Sequence, residues 1–251
     1  MPKLIAQNTS VNAELVVFDK DGTLIDFHAI WGPRTERAIE SICSLVDSDQ
    51  FLAKQLAAAL GYNPKISRVI SQGPFASGTR SEMEIVVATI LSQHQISWDK
   101  AKELACRHFG PVLTAPPTNS ELKPRGNVQE SISRLKASGT RVAIATSDNR
   151  EPTEAALREL NLTQAVDLIL CADDPGTPSK PDSSVLDYIS QQLVVSNDRT
   201  VMVGDTVSDL KMARKANVAL TVGITGGADE TNELEPYADI LLSSVDELVP
   251  A

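Results

Sequence analysis

The sequence predicts an α/β fold: a Rossmann-like parallel sheet core with helices on both faces, plus an all-helical domain inserted after the first strand. Two observations predict it. In the second half of the chain, short apolar and β-branched runs alternate with segments of helical periodicity. Between the first apolar run and the second, about a hundred residues are helical in pattern. Because parallel strands need long crossover connections, which are usually helices, the alternation favours a parallel sheet.

Six short apolar runs are predicted to form the core strands. Each is rich in Val, Ile or Leu and too short for a helix. They are LVVF at 15–18, VAIA at 142–145, LILC at 168–171, VMV at 201–203, ALTV at 219–222 and DILL at 239–242. Helical patterns lie beside the later runs, at 127–138, 151–160, 183–193 and 206–216. We therefore expect right-handed crossovers that cover both faces of the sheet.

The long segment between the first two strands is predicted to be a separate helical domain. It is too long for a simple crossover, and the proline-rich stretch at its exit, TAPPTNSELKPRG at 114–126, fits a hinge. Its helical patterns run over 34–46, 50–60, 81–94 and 99–109. The predicted division is a core domain of residues 1–27 and 120–251 and a helical domain of residues 28–119.

The charge balance narrows the classes of partner. The formal net charge is -10, and no long Lys/Arg cluster offsets it locally, so we expect no nucleic-acid partner. The amino terminus lacks an apolar segment of signal-peptide length, and no run of about 18 apolar residues occurs. We therefore expect no membrane association and a cytoplasmic location.

Polar side chains follow four of the predicted strands at their carboxyl ends. Those ends share one edge of a parallel sheet, and open α/β folds bind ligands in the crevice at that edge. We therefore expect the side chains to converge on one site. In chain order they are Asp19 and Asp21, Thr146 and Ser147, Lys180, and Asp205 and Asp209.

The composition of this group limits its chemistry. Crowded carboxylates repel one another unless a hard cation neutralises them, and a set of oxygen donors suits Mg²⁺. A hydroxyl at Thr146 or Ser147 and the ammonium of Lys180 would add donors for an anion, so the shared ligand is most economically a phosphoryl group. The apolar register favours Thr146 over Ser147. Side chains at Asp19 and Asp21 lie on the same side of an extended segment, so one could attack phosphorus while the other handles a proton.

Four motifs resemble those of the haloacid dehalogenase-like (HAD) phosphatases, in the correct order. DKDGT at 19–23 resembles the first motif, and Thr146 after an apolar strand resembles the second. Lys180 within SKPD resembles the third motif, and GDTVSD at 204–209 resembles the fourth. Each motif alone would be weak, but the four together are specific, and they cover the chain from about Leu15 onward.

The resemblance implies a role for each matching residue. Asp19 would be the nucleophile and a Mg²⁺ ligand, and Asp21 the general acid and base that also offers its main-chain carbonyl to the metal. Thr146, with Ser147 as the competing hydroxyl, and Lys180 would hold the phosphoryl oxygens. The remaining metal residues would be Asp205, as a direct ligand, and Asp209, through water or in support.

The helical insertion resembles the α-helical cap that phosphoglycolate phosphatases and β-phosphoglucomutases carry between their first two motifs. The resemblance implies a Mg²⁺-dependent phosphatase that hydrolyses a small phosphorylated metabolite through an aspartyl phosphate, with phosphoglycolate as one expected substrate. Two alternatives stay open: a sugar phosphomutase and a non-catalytic binding protein on the same fold. Thr23 stands where such mutases tend to carry valine, which favours a phosphatase. We expect a monomer or homodimer.

Other residues near the motifs carry weaker expectations. Strand alternation should turn Lys20 away from Asp19, so that it packs or pairs elsewhere. We interpret Asp148 as a residue at a helix start rather than a ligand. Trp31 and Arg34, like His28, are candidates for substrate contact, set against hinge packing for Trp31 and a surface charge for Arg34.

Overall fold

The computed structural model describes residues 2–46, 50–71 and 73–251, and a parallel sheet runs through its centre. The strands are β1 (Lys3–Ala6), β2 (Thr9–Asn12), β3 (Leu15–Phe18), β4 (Tyr62–Asn63), β5 (Arg68–Val69), β6 (Arg141–Ala145), β7 (Leu168–Leu170), β8 (Thr200–Gly204), β9 (Leu220–Ile224), β10 (Ile240–Leu242) and β11 (Leu248–Pro250). Among the described residues the main sheet has six strands, all parallel, in the order β10-β9-β8-β3-β6-β7. The predicted α/β fold class is confirmed.

Helices connect these strands. They are α1 (Phe27–Cys43), α2 (Gln50–Leu60), α3 (Pro74–Ser77), α4 (Arg80–Gln93), α5 (Trp98–Leu104), α6 (Gly110–Thr114), α7 (Val128–Ala137), α8 (Arg150–Glu159), α9 (Ser184–Leu193), α10 (Val207–Ala216) and α11 (Thr231–Leu234). A π-helical turn, Ala105–Phe109, joins α5 to α6, and 3₁₀ turns lie at Asn197–Arg199 and Val245–Glu247. Within the described residues, none of the helices combines the length and the apolar character that crossing a membrane needs.

The central strand β3 is buried on both faces, which explains its unbroken apolar run. Val16 and Phe18 belong to the large core cluster that includes Ile132 of α7, whereas Leu15 and Val17 pack in a second cluster with residues of α9 and α10. Helices therefore cover both faces, as parallel sheets require. The pairing of β3 with β6 and β8 brings the carboxyl ends of these three strands side by side.

Between β3 and β6 the chain is mainly helical, with α1 to α6 and the short β4–β5 hairpin. Helix α1 begins at Phe27, seven residues before the predicted start, and the side chain of Asp26 caps it by accepting a hydrogen bond from Ala29 N at 3.1 Å. The prediction missed these residues because Pro33 interrupts the helical pattern, yet the helix continues through it. The division into domains at 28 and 119 stays a prediction, and residues 47–49 and 72 of that range lie outside the described residues.

A second sheet was not predicted. Strand β1 pairs antiparallel with both β2 and β11, and Leu4 lies opposite Val11 on one side and Pro250 on the other. Strands this short give little signal in the sequence, and the partner β11 lies at the other end of the chain. The second sheet thus pairs strands from the beginning and the end of the sequence.

Candidate active site

The turn after β3 delivers the first predicted site residues to the edge of the sheet. Asp19 N still donates to Val203 O at 2.9 Å, but the chain then turns back, with Gly22 N donating to Ile25 O at 2.7 Å. Gly22 has φ +93°, and a Cβ atom there would lie 1.9 Å from Oδ2 of Asp205. Only glycine satisfies both the backbone angle and this close approach.

Three predicted carboxylates meet at this edge. Among the described residues, Asp19, Asp205 and Asp209 form a buried group whose ligand oxygens all lie within 4.8 Å of one another. Asp205 is completely buried and is held by two donors, the hydroxyl of Thr23 at 3.0 Å and Ala228 N at 2.7 Å. Its carboxylate is therefore fixed in place by residues from two separate loops.

Lys180 joins two members of this acidic group. Its Nζ lies 2.6 Å from Oδ1 of Asp19 and 2.5 Å from Oδ1 of Asp209, and it donates to Ala145 O at 3.3 Å. Oδ2 of Asp209 accepts hydrogen bonds from the side chain and main chain of Thr206, at 2.7 and 3.2 Å, at the start of α10. Asp209 thus caps a helix while it contacts the lysine.

The pKa values of Asp19, Asp205 and Lys180 are strongly shifted, and burial is the largest single influence on each. Burial raises the pKa of Asp19 to about 7, with Asp209 and Asp21 adding to the rise and Lys180 opposing it. Burial, then Asp19 and Asp209, raise the pKa of Asp205 well above its usual value. Burial acts the other way on Lys180, but the carboxylates of Asp19 and Asp209 prevail and raise its pKa. In the folded chain the carboxylates are costly to ionise together.

The donor set fits a divalent cation. When ionised, three carboxylates and one ammonium leave two negative charges in a buried space, which one divalent ion would offset. All the candidate side-chain ligands are oxygens, which suit hard cations such as Mg²⁺. Asp19 and Asp205 would be the ligands, with Asp209 in support because Lys180 and the helix cap already engage its oxygens. The contribution predicted for Asp21 comes from its main-chain carbonyl and stays a prediction.

A small cavity of about 60 Å³ adjoins the acidic group. The predicted residues Asp19, Asp21, Thr146, Ser147 and Lys180 all line it, whereas Asp205 and Asp209 adjoin it through their contacts with Asp19 and Lys180. The helical segment supplies the opposite wall, with Phe27, Trp31, Phe75, Arg80, Met83, Leu113 and Thr114 among its residues. The structure therefore brings all the predicted site residues to one place, while their roles stay predictions.

The two candidate hydroxyls differ in burial. Thr146 is buried, its main-chain N donates to Leu170 O at 3.0 Å, and its Oγ1 accepts a hydrogen bond from Asp148 N at 3.1 Å. Ser147 is half-buried and lines the same cavity. Both hydroxyls are within the site, so the choice between them stays open.

Lys20 forms a second ion-pair network beside the first. As expected, it pairs away from Asp19: its Nζ lies 2.6 and 2.7 Å from the two carboxylate oxygens of Asp21 and 3.0 Å from Oδ2 of Asp148. Asp148 lies directly before the N-cap of α8 and is not part of the acidic group, in line with its interpretation as a helix-start residue, but it also has a contact that the sequence did not predict. Asn149 caps α8, and the carboxylate of Asp148 is buried against Lys20 at the cavity wall. Its position in the short loop between β6 and α8, at the same edge of the sheet, was the signal that could have identified this contact.

The three candidates for substrate contact differ in their position relative to the cavity. Trp31 lines the cavity. Arg34 is neither a cavity residue nor a surface charge, because it is buried in a two-pronged ion pair with Glu121, at 3.2 Å for each hydrogen bond, and donates to Leu113 O at 2.8 Å. His28 is not among the residues that line the cavity, and burial lowers its pKa. Periodicity alone could not have identified the other helical residues of the wall.

Comparison with known proteins adds the family. A family model described as haloacid dehalogenase-like hydrolase matches residues 13–217. A phosphoglycolate phosphatase of Colwellia psychrerythraea is 32% identical over 111 residues, 44% of this chain and 48% of that protein, so the match spans about half of that relative. Another phosphoglycolate phosphatase, from Agrobacterium fabrum, is 24% identical over 241 residues, 94% of this chain and 91% of that protein.

A solved structure shows the same fold. The crystal structure of a predicted phosphoglycolate phosphatase from Haemophilus somnus matches with a TM-score of 0.69 at 18% identity, over 94% of this chain and 96% of that one. The family model covers well over half of this chain and includes all seven predicted site residues. The family resemblance noted in the four motifs is confirmed, and the chain belongs to the haloacid dehalogenase-like hydrolases.

Proposed function

We propose that the protein is a Mg²⁺-dependent phosphatase that hydrolyses a small phosphomonoester through an aspartyl phosphate on Asp19. One observation carries the proposal. The carboxylate of Asp19 lies at the wall of a small cavity, in contact with the ammonium of Lys180 and beside two further buried carboxylates. This arrangement supports the proposal, because a nucleophile, a cationic donor for an anion and the ligands of a divalent cation would then act at a single point.

In the first step, an oxygen of Asp19 attacks phosphorus and the bond from phosphorus to the ester oxygen breaks. Asp21, which lines the same cavity, gives its proton to the leaving oxygen, so that an alcohol departs. Lys180 and the hydroxyl of Thr146 or Ser147 bind the phosphoryl oxygens. Lys180 also holds Asp19 through its 2.6 Å contact.

In the second step, water attacks the phosphorus of the aspartyl phosphate. Asp21, now a carboxylate, takes a proton from that water, and the bond between phosphorus and Asp19 breaks to release inorganic phosphate. A divalent cation held by Asp19 and Asp205, with Asp209 and the main-chain carbonyl of Asp21, would offset negative charge on the phosphoryl group. Both steps then use the same group of side chains and regenerate Asp19.

Two features support a small substrate and a phosphatase. The cavity is small, about 60 Å³, and residues of the helical segment line it together with the motif residues. Thr23 donates to Asp205 at 3.0 Å, and the valine that the resemblance associates with mutases has no hydroxyl to do so. The names of the relatives make phosphoglycolate the first substrate to test. The cytoplasmic location, the monomer or homodimer and the domain division remain predictions from the sequence.

The test is phosphate release from a panel of small phosphate esters, including phosphoglycolate and sugar phosphates, with Mg²⁺ or with EDTA. We expect release that depends on the metal and prefers one ester. Asp19→Asn should abolish it, and Asp99→Asn, at a side chain that is 95% exposed, should leave it unchanged. Retained turnover in Asp19→Asn would refute the mechanism. Isomerised sugar phosphate in place of released phosphate would indicate a mutase, and no conversion of any ester would favour a binding protein.

A further inference from the structure

The buried ammonium of Lys20 lies between two carboxylates, those of Asp21 and Asp148. Only 3% of its side chain is exposed, and the exposed fractions of its partners Asp21 and Asp148 are 10% and 8%. A buried ammonium is costly unless it is paired, and a methionine of similar length would fill the space without that cost. Packing alone therefore does not explain why a charged side chain lies at this position.

The contacts of Lys20 connect Asp148 to Asp21. Nζ binds both carboxylate oxygens of Asp21, at 2.6 and 2.7 Å, so it restrains the rotation as well as the position of that group. On its other side Nζ meets Asp148 at 3.0 Å, and Oδ1 of Asp148 accepts a hydrogen bond from Asn149 N at 2.8 Å. The main-chain carbonyl of Lys20 is bound as well, by Leu24 N at 2.9 Å.

Asp21 and Asp148 line the cavity, whereas Lys20 is not among its lining residues. Lys20 is therefore placed to act on the site through Asp21 rather than on substrate. We propose that Lys20, anchored on Asp148, is a positioning residue that holds the carboxyl group of Asp21 at the cavity wall in the orientation that proton transfer needs. This inference rests on the proposed function, because it assumes that Asp21 exchanges protons with the leaving group and with water.

The first test varies how much the reaction needs Asp21. An alkyl phosphate needs a proton on its leaving oxygen, but p-nitrophenyl phosphate does not, and kcat/KM reports the step that breaks this bond. General acid–base catalysis contributes about 10²- to 10⁴-fold, so losing its alignment in Lys20→Met should lower kcat/KM for phosphoglycolate, or for the fastest alkyl ester of the panel, by about 10- to 100-fold. The value for p-nitrophenyl phosphate should change by less than about threefold.

The second test asks whether Lys20 acts through Asp21. In a double-mutant cycle, Lys20→Met should add no further loss for the alkyl ester once Asp21→Asn is present. The matched control is Lys136→Met. The ammonium of Lys136 binds both oxygens of Asp167, at 2.5 Å each, with the same two-pronged geometry but outside the cavity lining. We expect this control to leave kcat/KM for both esters unchanged.

The outcomes separate the proposal from its rivals. Equal losses for both esters, or losses of Lys20→Met and Asp21→Asn that multiply, would overturn it. If Lys20→Met does not fold, Asp148→Asn decides, since it keeps the contact between Lys20 and Asp21 but removes the anchor. A smaller loss confined to alkyl esters supports the proposal, and unchanged kinetics refute it. A wild-type protein without any phosphatase turnover would refute the proposed function, and this inference with it. If the wild type is active, the results for the variants test only the role of Lys20.

Discussion

The hydroxyl of Thr23 supplies the sharpest test of the metal site. Thr23 and Asp205 are both completely buried, and the 3.0 Å bond between them is one of two that hold the Asp205 carboxylate. Thr23→Val keeps the shape and removes the donor. Leaving a buried acceptor without its donor costs about 1–3 kcal/mol. We therefore expect the free energy of unfolding in EDTA to fall by about 1–3 kcal/mol.

The same bond should influence the affinity for the cation. The hydroxyl favours the carboxylate form of Asp205, whose pKa burial already raises, so losing it disfavours the form that binds metal. A free-energy difference of about 1.4 kcal/mol corresponds to a tenfold change in a dissociation constant, so the Kd for Mg²⁺ should rise by about tenfold or more. Isothermal titration calorimetry measures this Kd without turnover, and urea unfolding followed by circular dichroism measures the stability.

Thr200→Val is the matched control. Thr200 is also completely buried, but its hydroxyl donates to a neutral main-chain carbonyl, Ser196 O, at 3.0 Å and away from the acidic group. Losing that bond should cost about 0.5–1.5 kcal/mol and leave Mg²⁺ binding unchanged. The reasoning is refuted if Thr23→Val binds Mg²⁺ as tightly as the wild type and loses no more stability than Thr200→Val.

Two further predictions concern buried charges. Arg34→Met should lower the free energy of unfolding by about 1–3 kcal/mol, because the buried Glu121 loses its two-pronged partner but keeps its 2.6 Å contact with Arg37. Arg199→Met, at a pair whose arginine side chain is 44% exposed, should cost less than about 1 kcal/mol. Equal losses in urea unfolding would contradict this expectation. Since the pKa of Asp19 is raised to about 7, the metal-free folded state holds a proton that the unfolded state has released, so stability falls as pH rises from about 4 to about 7. The stability of Asp19→Asn relative to the wild type in EDTA should therefore increase over this range, and a constant difference would contradict the assignment.

The local sequence pattern failed to predict two features of the fold, the start of α1 and the pairing of β1 with β11, and the reason is the same for both. Pro33 predicts a helix boundary, yet α1 begins at Phe27 and continues past Pro33, because the helix is stabilised by its packing. The pairing of β1 with β11 joins strands from opposite ends of the chain, which no local window contains. In both cases contacts distant in sequence outweigh the preference of the nearby residues.

The sequence by itself determined the parallel sheet and the edge at which the predicted site residues meet. Buried apolar runs that alternate with helices permit few other arrangements. Each site residue directly follows a strand or lies in the loop after it, except Asp209, which lies in the first turn of the helix that follows β8. Only the tertiary structure decided how the charges pair. Lys180 and Asp19 are 161 residues apart, and Lys20 after β3 meets Asp148 after the neighbouring strand β6. Their distances therefore depend on how β3, β6 and β7 pair. Residue type shows which groups can pair, but the folded backbone sets which of them come within 3 Å.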